Sequence, residues 1–424
     1  MSPFFIMNRN TLLLIFLCLG IISCSISQKS EDNFTKPDSV QFESPLIVDS
    51  IKYKHAANTQ PQKEIPLEKN EQDHEKIQIE KIPEVDFVKG IYLTAYKVAS
   101  SDFENILSVA DSAGINTVIF DLKNMNGDIF FRTRQKSPLV GDNLKPIVNI
   151  KETVKTLHRM NMKAVSRVVM FHDQFNAQRD SLLRPHVFGG SSWQESEKRK
   201  PSWLDSSNTI VQNYLLTLIE EISQNGVDEI QLDYIRFPTQ GNINKAIFTF
   251  QQTDSLLFAS DSTYVFRNKA DIIMDFIARA KRICDRYDVK LTADVFAIVA
   301  WQRNADIMAT GQNMRRMTQN LDFVHPMIYS SHFASDFGYR EDIYNEPYFI
   351  MYKGTKLTIN NTVGDCKVVP YIQSNSWKVN YKKEYMIAQI KAIEDCGASG
   401  YILWNASNRY KKTLSWIREY YETE

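Results

Sequence analysis

The stretch DEIQLDYIRFP, residues 228–238, decides the fold. Alternating apolar residues mark a strand, and Pro238 ends it because proline brings no N–H to a sheet ladder. Ile230, Leu232, Tyr234 and Phe237 suit one environment, with Gln231, Asp233, Ile235 and Arg236 on or near the other face. A carboxylate at the exit of an otherwise apolar strand costs free energy unless it is paired or used. In a parallel barrel, that exit is where active sites are built.

The same unit recurs on both sides of this stretch. Upstream strands are KGIYLTAY (89–96), TVIFDLK (117–123) and KAVSRVVMF (163–171). Downstream come KLTADVFAI (290–298), LDFVHPMIYS (321–330), KVVPYIQSN (367–375) and GYILWNA (400–406). Helical segments lie between them: Ser101 and Glu104 offer a capping box for the first, which Gly114 stops, and Gly226 and Gly397 stop two others. A polar stretch after the second strand, NMNGDIFF, suits a small hairpin. Eight strands alternating with helices predict a (β/α)8 barrel. An open doubly wound sheet would carry a glycine-rich turn after its first strand, whereas Lys97-Val98-Ala99-Ser100 has none.

The extra length has a direction. Connections leaving strands two, three, four and six are long, and those entering strands are short. In a barrel the long ones wall in a cleft on the C-terminal face. Trp193, Trp203, Trp301, Trp377 and Trp404 fall there or at strand ends, where aromatic planes suit the apolar faces of sugars.

The chain has 424 residues, of which 43% are hydrophobic, and Lys plus Arg balance Asp plus Glu at 50 each. That balance gives no sign of a nucleic-acid partner. Residues 1–24 read as a lipoprotein signal peptide: Arg9 precedes the apolar run 11–22, and Ile21-Ile22-Ser23-Cys24 resembles a bacterial lipobox with Cys24 lipidated. Residues 25–86 are polar with scattered prolines and read as a flexible linker, leaving 87–424 for the barrel. The implied location is a bacterial membrane, periplasmic or outer surface. Cys284, Cys366 and Cys396 form no disulfide framework and no zinc-ligand spacing.

Three acids stand in or at the ends of strands: Asp121, Asp233 and Asp294. Two carboxylates in different environments are the minimum for glycosidic cleavage. At matching heights on neighbouring strands they would be about 5 Å apart, the spacing of a retaining enzyme. The competing expectation is ion pairing, with Arg236 for Asp233, Lys123 for Asp121, and Arg167 for either. Tyr92, Lys123, Arg236, Trp301, His325, Tyr329, His332, Gln373, Trp404 and Asn405 are the candidate sugar contacts. No cofactor is implied, though three carboxylates also suit calcium.

Several of these stretches, with VIFDLKNMNGDI (118–129), TADVFA (292–297), Gly311-Gln312, DFVHPMIYSSHF (322–333), PYIQ (370–373) and GYILWNAS (400–407), resemble the putative glycoside hydrolase domain family. That resemblance implies a TIM barrel related to the α-amylase-like glycosidases and a carbohydrate substrate. It implies Asp233 as nucleophile. The general acid usually follows strand five as a Glu; here Asp294 lies within that strand, and Asp121 is the other choice. A non-catalytic glycan-binding lipoprotein on the same scaffold is the alternative, and metal-dependent deacetylation lacks a compact Asp/His set.

Overall fold

The structure is a computed structural model that describes residues 82–423. The expected signal peptide, Cys24 and the linker up to residue 81 lie outside the described residues. Among the described residues no helix is long and apolar enough to cross a membrane.

The strands are β1 (Val88–Leu93), β2 (Thr117–Lys123), β3 (Lys163–Val169), β4 (Glu229–Asp233), β5 (Lys290–Phe296) and β6 (Phe323–Met327), then β7 (Lys367–Val368), β8 (Tyr371–Gln373) and β9 (Gly400–Trp404). All pair in parallel, and the β5–β6 pairing closes the sheet into a barrel. β7 and β8 are two halves of one strand interrupted at Val369-Pro370, since both pair with β6. The barrel therefore has the eight strands that the alternation predicts.

Side-chain alternation splits the core into two layers. One face of each strand packs outward on the helices, including Phe120, Val168, Leu232, Leu291 and Val324. The other fills the barrel with Tyr92, Ile119, Val165, Phe323, Tyr371 and Ile402. Helix Lys269–Arg286 shows why its residues are helical and which way it turns. Asn268 and Asp271 form a capping box at its start, and Ile272, Ile273, Phe276, Ile277 and Ala280 form one buried face. Phe276 meets Phe171 edge-on at 5.3 Å. The Asn149 and Asn208 side chains cap the helices Ile150–Arg159 and Thr209–Ser223 by accepting first-turn backbone N–H groups.

Several local expectations change. Helix Phe103–Asp111 starts from Asp102 without a side-chain cap, so the Ser101/Glu104 capping box does not form. The helical segment between the fifth and sixth strands breaks into Asn304–Thr310 and Met314–Met317 at Gly311, whose φ is +78°. A Cβ there would sit 2.9 Å from the Lys269 carbonyl oxygen, so this tight approach needs glycine. The long segments after β4 and β6 contain helices Thr249–Ser260 and Pro347–Asn361, whose weakly segregated apolar residues give little periodic signal. The hairpin after β2 is one antiparallel bridge, Lys123 to Ile129.

The barrel mouth carries an inaccessible ion pair. Lys123 Nζ lies 3.0 Å from Asp173 Oδ2, and neither side chain has any exposed surface. Lys123 also donates to the Val169 carbonyl at 3.0 Å, and Asp173 caps Gln174–Arg179 by accepting from Asn176 N–H. Removing one partner strands a buried charge. Asp173→Ala should therefore cost about 3–5 kcal/mol of stability, read by chemical denaturation, and the double variant Asp173→Ala/Lys123→Met should recover most of the loss.

Candidate active site

Strand register brings the three acids together. Asp121 on β2 lies beside Arg167 on β3. Leu232 and Ala293 are partners on β4 and β5, so the next residues, Asp233 and Asp294, stand at matching heights. All three acids are buried: Asp121 is 5% exposed, Asp233 4% and Asp294 1%.

Arg167 is the common partner. Its Nη1 donates to Asp121 Oδ1 at 2.5 Å. Its Nε donates to Asp233 Oδ2 at 3.1 Å, Nη2 grips the same oxygen, and Asp294 Oδ2 lies 3.9 Å from Nε. Burial opposes the guanidinium's charge, but the Asp233 and Asp121 carboxylates outweigh it and raise its pKa well above the ordinary value. Arg167 therefore takes the pairing expected of Lys123 with Asp121 and of Arg236 with Asp233. It also occupies the position in which three carboxylates would otherwise need a cation. Among the described residues no group of three or more His, Cys, Asp or Glu is placed to hold a metal ion.

The carboxylates differ in their surroundings. Asp233 Oδ1 accepts the Tyr234 backbone N–H at 2.6 Å, so both its oxygens are engaged. Asp121 accepts from the Tyr92 hydroxyl at 2.5 Å; burial raises its pKa while Arg167 and Tyr92 pull it back. Asp294 Oδ1 accepts from Gln231 Nε2 at 2.6 Å, but its Oδ2 has no hydrogen-bond partner. Burial, and then the negative charge of Asp233, hold Asp294 well above the ordinary carboxyl range. A raised carboxyl is not by itself a sign of catalysis. Glu229, toward the other end of β4, is pushed up to about 8 by burial. Asp294 differs in standing beside a second carboxylate at the mouth.

The chain leaves β4 by a strained step. Tyr234 has φ +51°, a left-handed conformation costly for a bulky residue. At this step the Tyr234 N–H is donated to Asp233, and the alternation of the strand breaks. Ile235 and Phe237 then enter the outer core, while Tyr234 and Arg236 are half-buried at the mouth, the reverse of the sequence assignment for Tyr234 and Ile235. Gln312 braces the same exit. It accepts from Phe296 N–H at 3.1 Å and donates to the carbonyls of Ile235 and Asp294 at 3.4 and 3.3 Å, joining the ends of β4 and β5.

Two aromatic walls flank the carboxylates. On one side Tyr92 packs on half-buried Trp404 at 4.4 Å, Tyr329 lies 6.4 Å from Trp404, and His332 sits between Tyr329 and Trp377 at 4.9 and 4.5 Å. On the other, Trp203, His172 and Tyr234 pack together, 4.9 to 5.7 Å apart, with the Arg236 guanidinium laid over Trp203 and Tyr234. Burial lowers His172, His325 and His332 to about 4, so all three are neutral near pH 7. His325 is the β6 neighbour of Asp294; its Nδ1 meets the Val369 carbonyl at 2.9 Å and its Nε2 is unpartnered.

Other expected contacts are engaged elsewhere. Lys123 is held by Asp173. Gln373 binds Ser331 and the Asn375 carbonyl, and Asn405 binds the Ser374 and Arg409 carbonyls, so both fasten loops. Trp301 packs edge-on against Phe333 and Phe337 and anchors the loop after β6. Gln231, Tyr371 and Gln312 were missing from the expected site, and Arg167 was expected only as an ion-pair partner, which it is for both Asp121 and Asp233. Their signal was present, because Gln231 and Arg167 share the inward parity of Asp233 and Asp121, and a buried polar residue needs a nearby partner.

Arg167→Met should remove the charge shared by three buried carboxylates. Each would then carry a raised folded-state pKa, so the protonated folded form would survive at low pH and stability would be lost as pH rises. The variant should lose stability relative to wild type progressively as pH rises above the ordinary carboxyl range, measured as the pH dependence of Tm. A deficit constant over that range would contradict the charge-sharing arrangement.

Comparison with known proteins places this geometry in a family. A family model described as "Putative glycosyl hydrolase domain" matches residues 90–410. No curated protein sequence matches the chain. The PgaB (BpsB) glycoside hydrolase domain from Bordetella bronchiseptica is similar in fold, with a TM-score of 0.54 at 11% identity over 78% of this chain and 98% of that one. So is α-L-fucosidase isoenzyme 2 from Paenibacillus thiaminolyticus, with a TM-score of 0.51 at 12% identity over 80% of this chain and 49% of that one. A β-galactosidase from the psychrophilic Marinomonas ef1 gives 0.51 at 9% identity, over 74% of this chain and 53% of that one. At these identities the structures show a shared barrel fold, while the family match spans nearly all of the barrel, and the chain belongs to the putative glycosyl hydrolase domain family.

Proposed function

We propose that the protein hydrolyses a glycosidic bond in an extracytoplasmic poly- or oligosaccharide, using Asp233 and Asp294. The observation that carries this reading is the split between two adjacent carboxyls. Asp233 is gripped by Arg167 and the Tyr234 N–H, whereas Asp294 is buried, accepts no hydrogen bond at Oδ2 and is held well above the ordinary carboxyl range. Environments that push two carboxyls apart assign a nucleophile and a proton donor.

In this mechanism an Asp233 oxygen attacks the anomeric carbon while Asp294 gives its proton to the departing glycosidic oxygen, so the C–O bond breaks and a glycosyl ester forms. Asp294, now a carboxylate, takes a proton from the water that displaces Asp233. One Arg167 nitrogen lies within 3.9 Å of both carboxylates, which supports the short retaining separation of about 5 Å over the longer inverting one. Asp121 and Tyr92 orient the guanidinium, and Trp404 and Trp203 supply planes for sugar faces. In the same reading the apolar run 11–22 and Cys24 anchor the enzyme to a membrane, and residues 25–86 tether it.

Product analysis on a panel of bacterial and host glycans tests the assignment. Asp233→Asn and Asp294→Asn should each lower turnover by about 10²–10⁴-fold. The proton donor must be protonated, so wild-type activity should fall as pH rises through the elevated Asp294 value, and Asp294→Asn should lack that limb. NMR of the first-formed anomer should show retention. Cleavage that survives Asp233→Asn would remove it from the chemistry, and glycan binding without cleavage by wild type would leave a binding barrel. Cys24→Ser should move the protein from the membrane to the soluble fraction.

A further inference from the structure

Arg236 is a cationic group at the mouth that the mechanism leaves unused. Its guanidinium lies over three aromatic faces, 4.7 Å from the Trp203 ring centre, 5.1 Å from Phe296 and 5.5 Å from Tyr234. Its Nη1 donates to the Phe237 carbonyl at 3.1 Å and reaches Thr239 Oγ1 at 3.5 Å. Its Nε and Nη2 donate to no group among the described residues, and no carboxylate there forms an ion pair with it. The surroundings of Arg236 do not favour its charge: burial dominates, and the nearby Tyr234 and Asp233 offset it only in part. Arg167, by contrast, has three carboxylates around it.

A half-buried cation held rigidly on aromatic planes, with one donor edge free, is built to receive an anion. The Nε–Nη2 edge presents two parallel N–H groups, the fork that matches the two oxygens of a planar carboxylate. The stack against Trp203, Tyr234 and Phe296 fixes the orientation beforehand, so little side-chain freedom is lost on binding. Tyr234 follows Asp233 directly and packs under Arg236, which brings the Arg236 guanidinium near the reacting carboxylates. An acidic sugar would be repelled by the carboxylates alone, and Arg236 supplies the opposite charge at that position.

We propose that the cleft selects a glycan whose sugar next to the cleaved bond carries a carboxylate, bound bidentately by Arg236 over the Trp203 and Tyr234 rings. This rests on the carbohydrate-cleft reading above but not on the hydrolytic step. Lysine in place of Arg236 keeps the charge without the fork, and glutamine removes both.

Calorimetric binding separates these ideas from catalysis. The probes are oligogalacturonate, oligoalginate, and heparosan and chondroitin oligosaccharides, each paired with its carboxyl-reduced form, with sulfated chondroitin as a further arm. The full chain should bind at least one acidic member at least about tenfold more tightly than its reduced partner. That ratio should collapse toward one in Arg236→Gln and be partly kept in Arg236→Lys, with near-ultraviolet circular dichroism confirming that Trp203 and Tyr234 remain packed. Binding of acidic members without any cleavage would uphold this inference while overturning the hydrolase reading. Reduced members bound as well as acidic ones, no acidic member bound, tightest binding that follows the sulfate rather than the carboxylate, or an unchanged ratio in Arg236→Gln would each overturn it.

Discussion

One guanidinium, that of Arg167, holds carboxylates from three different strands. Each acid lies in a dry barrel mouth where like charges repel strongly, and each would be costly alone. Arg167 would be as costly without them. The cluster is therefore mutually dependent: Asp121 on β2 and Asp233 on β4 clamp the guanidinium from either side, and Asp294 on β5 stands at the edge of its reach. Positions around it follow from this. Tyr92 fills the remaining oxygen of Asp121, Gln231 supports Asp294, and Gln312 fixes the exits of β4 and β5 through their backbones.

Inequality within the cluster gives it its chemistry. A guanidinium shared evenly would hold all three acids in one state. Here Asp233 receives two of its donors and a backbone N–H, while Asp294 receives an amide and is left with an unpartnered oxygen. The left-handed Tyr234 stands at this point of the chain and gives its N–H to Asp233. It also delivers Tyr234 and Arg236 to the mouth, so a single backbone irregularity serves both the reacting carboxyl and the wall beside it.

The barrel was legible because its signal is periodic. Eight alternating apolar runs separated by glycine stops reappear as strands, with β2 matching residue for residue. The acids were legible because a carboxylate inside an apolar strand is conspicuous. Their partners were harder to read. Arg167 could be named as a partner of Asp121 or Asp233, but only register shows that it holds both at once. Lys123 shared the inward parity of Asp121, but a register shift between them turns it to Asp173 instead. Gln373 and Asn405 looked like sugar contacts because they end strands, yet loop carbonyls consume their amides. The tryptophans divided in the same way: Trp193 and Trp301 pin loops, while Trp203 and Trp404 face the carboxylates' surroundings.

The most direct test of the central claim is the titration of Asp294 itself, followed by carboxyl-selective NMR in the intact protein. The Arg167-centred arrangement predicts that Asp294 titrates well above the ordinary aspartate value in wild type. It also predicts that Asp294 moves down in Asp233→Asn, which deletes the adjacent negative charge and frees Arg167. An Asp294 that titrates at or below the ordinary value, or that does not move when Asp233 is neutralised, would contradict the division of roles between the two carboxyls.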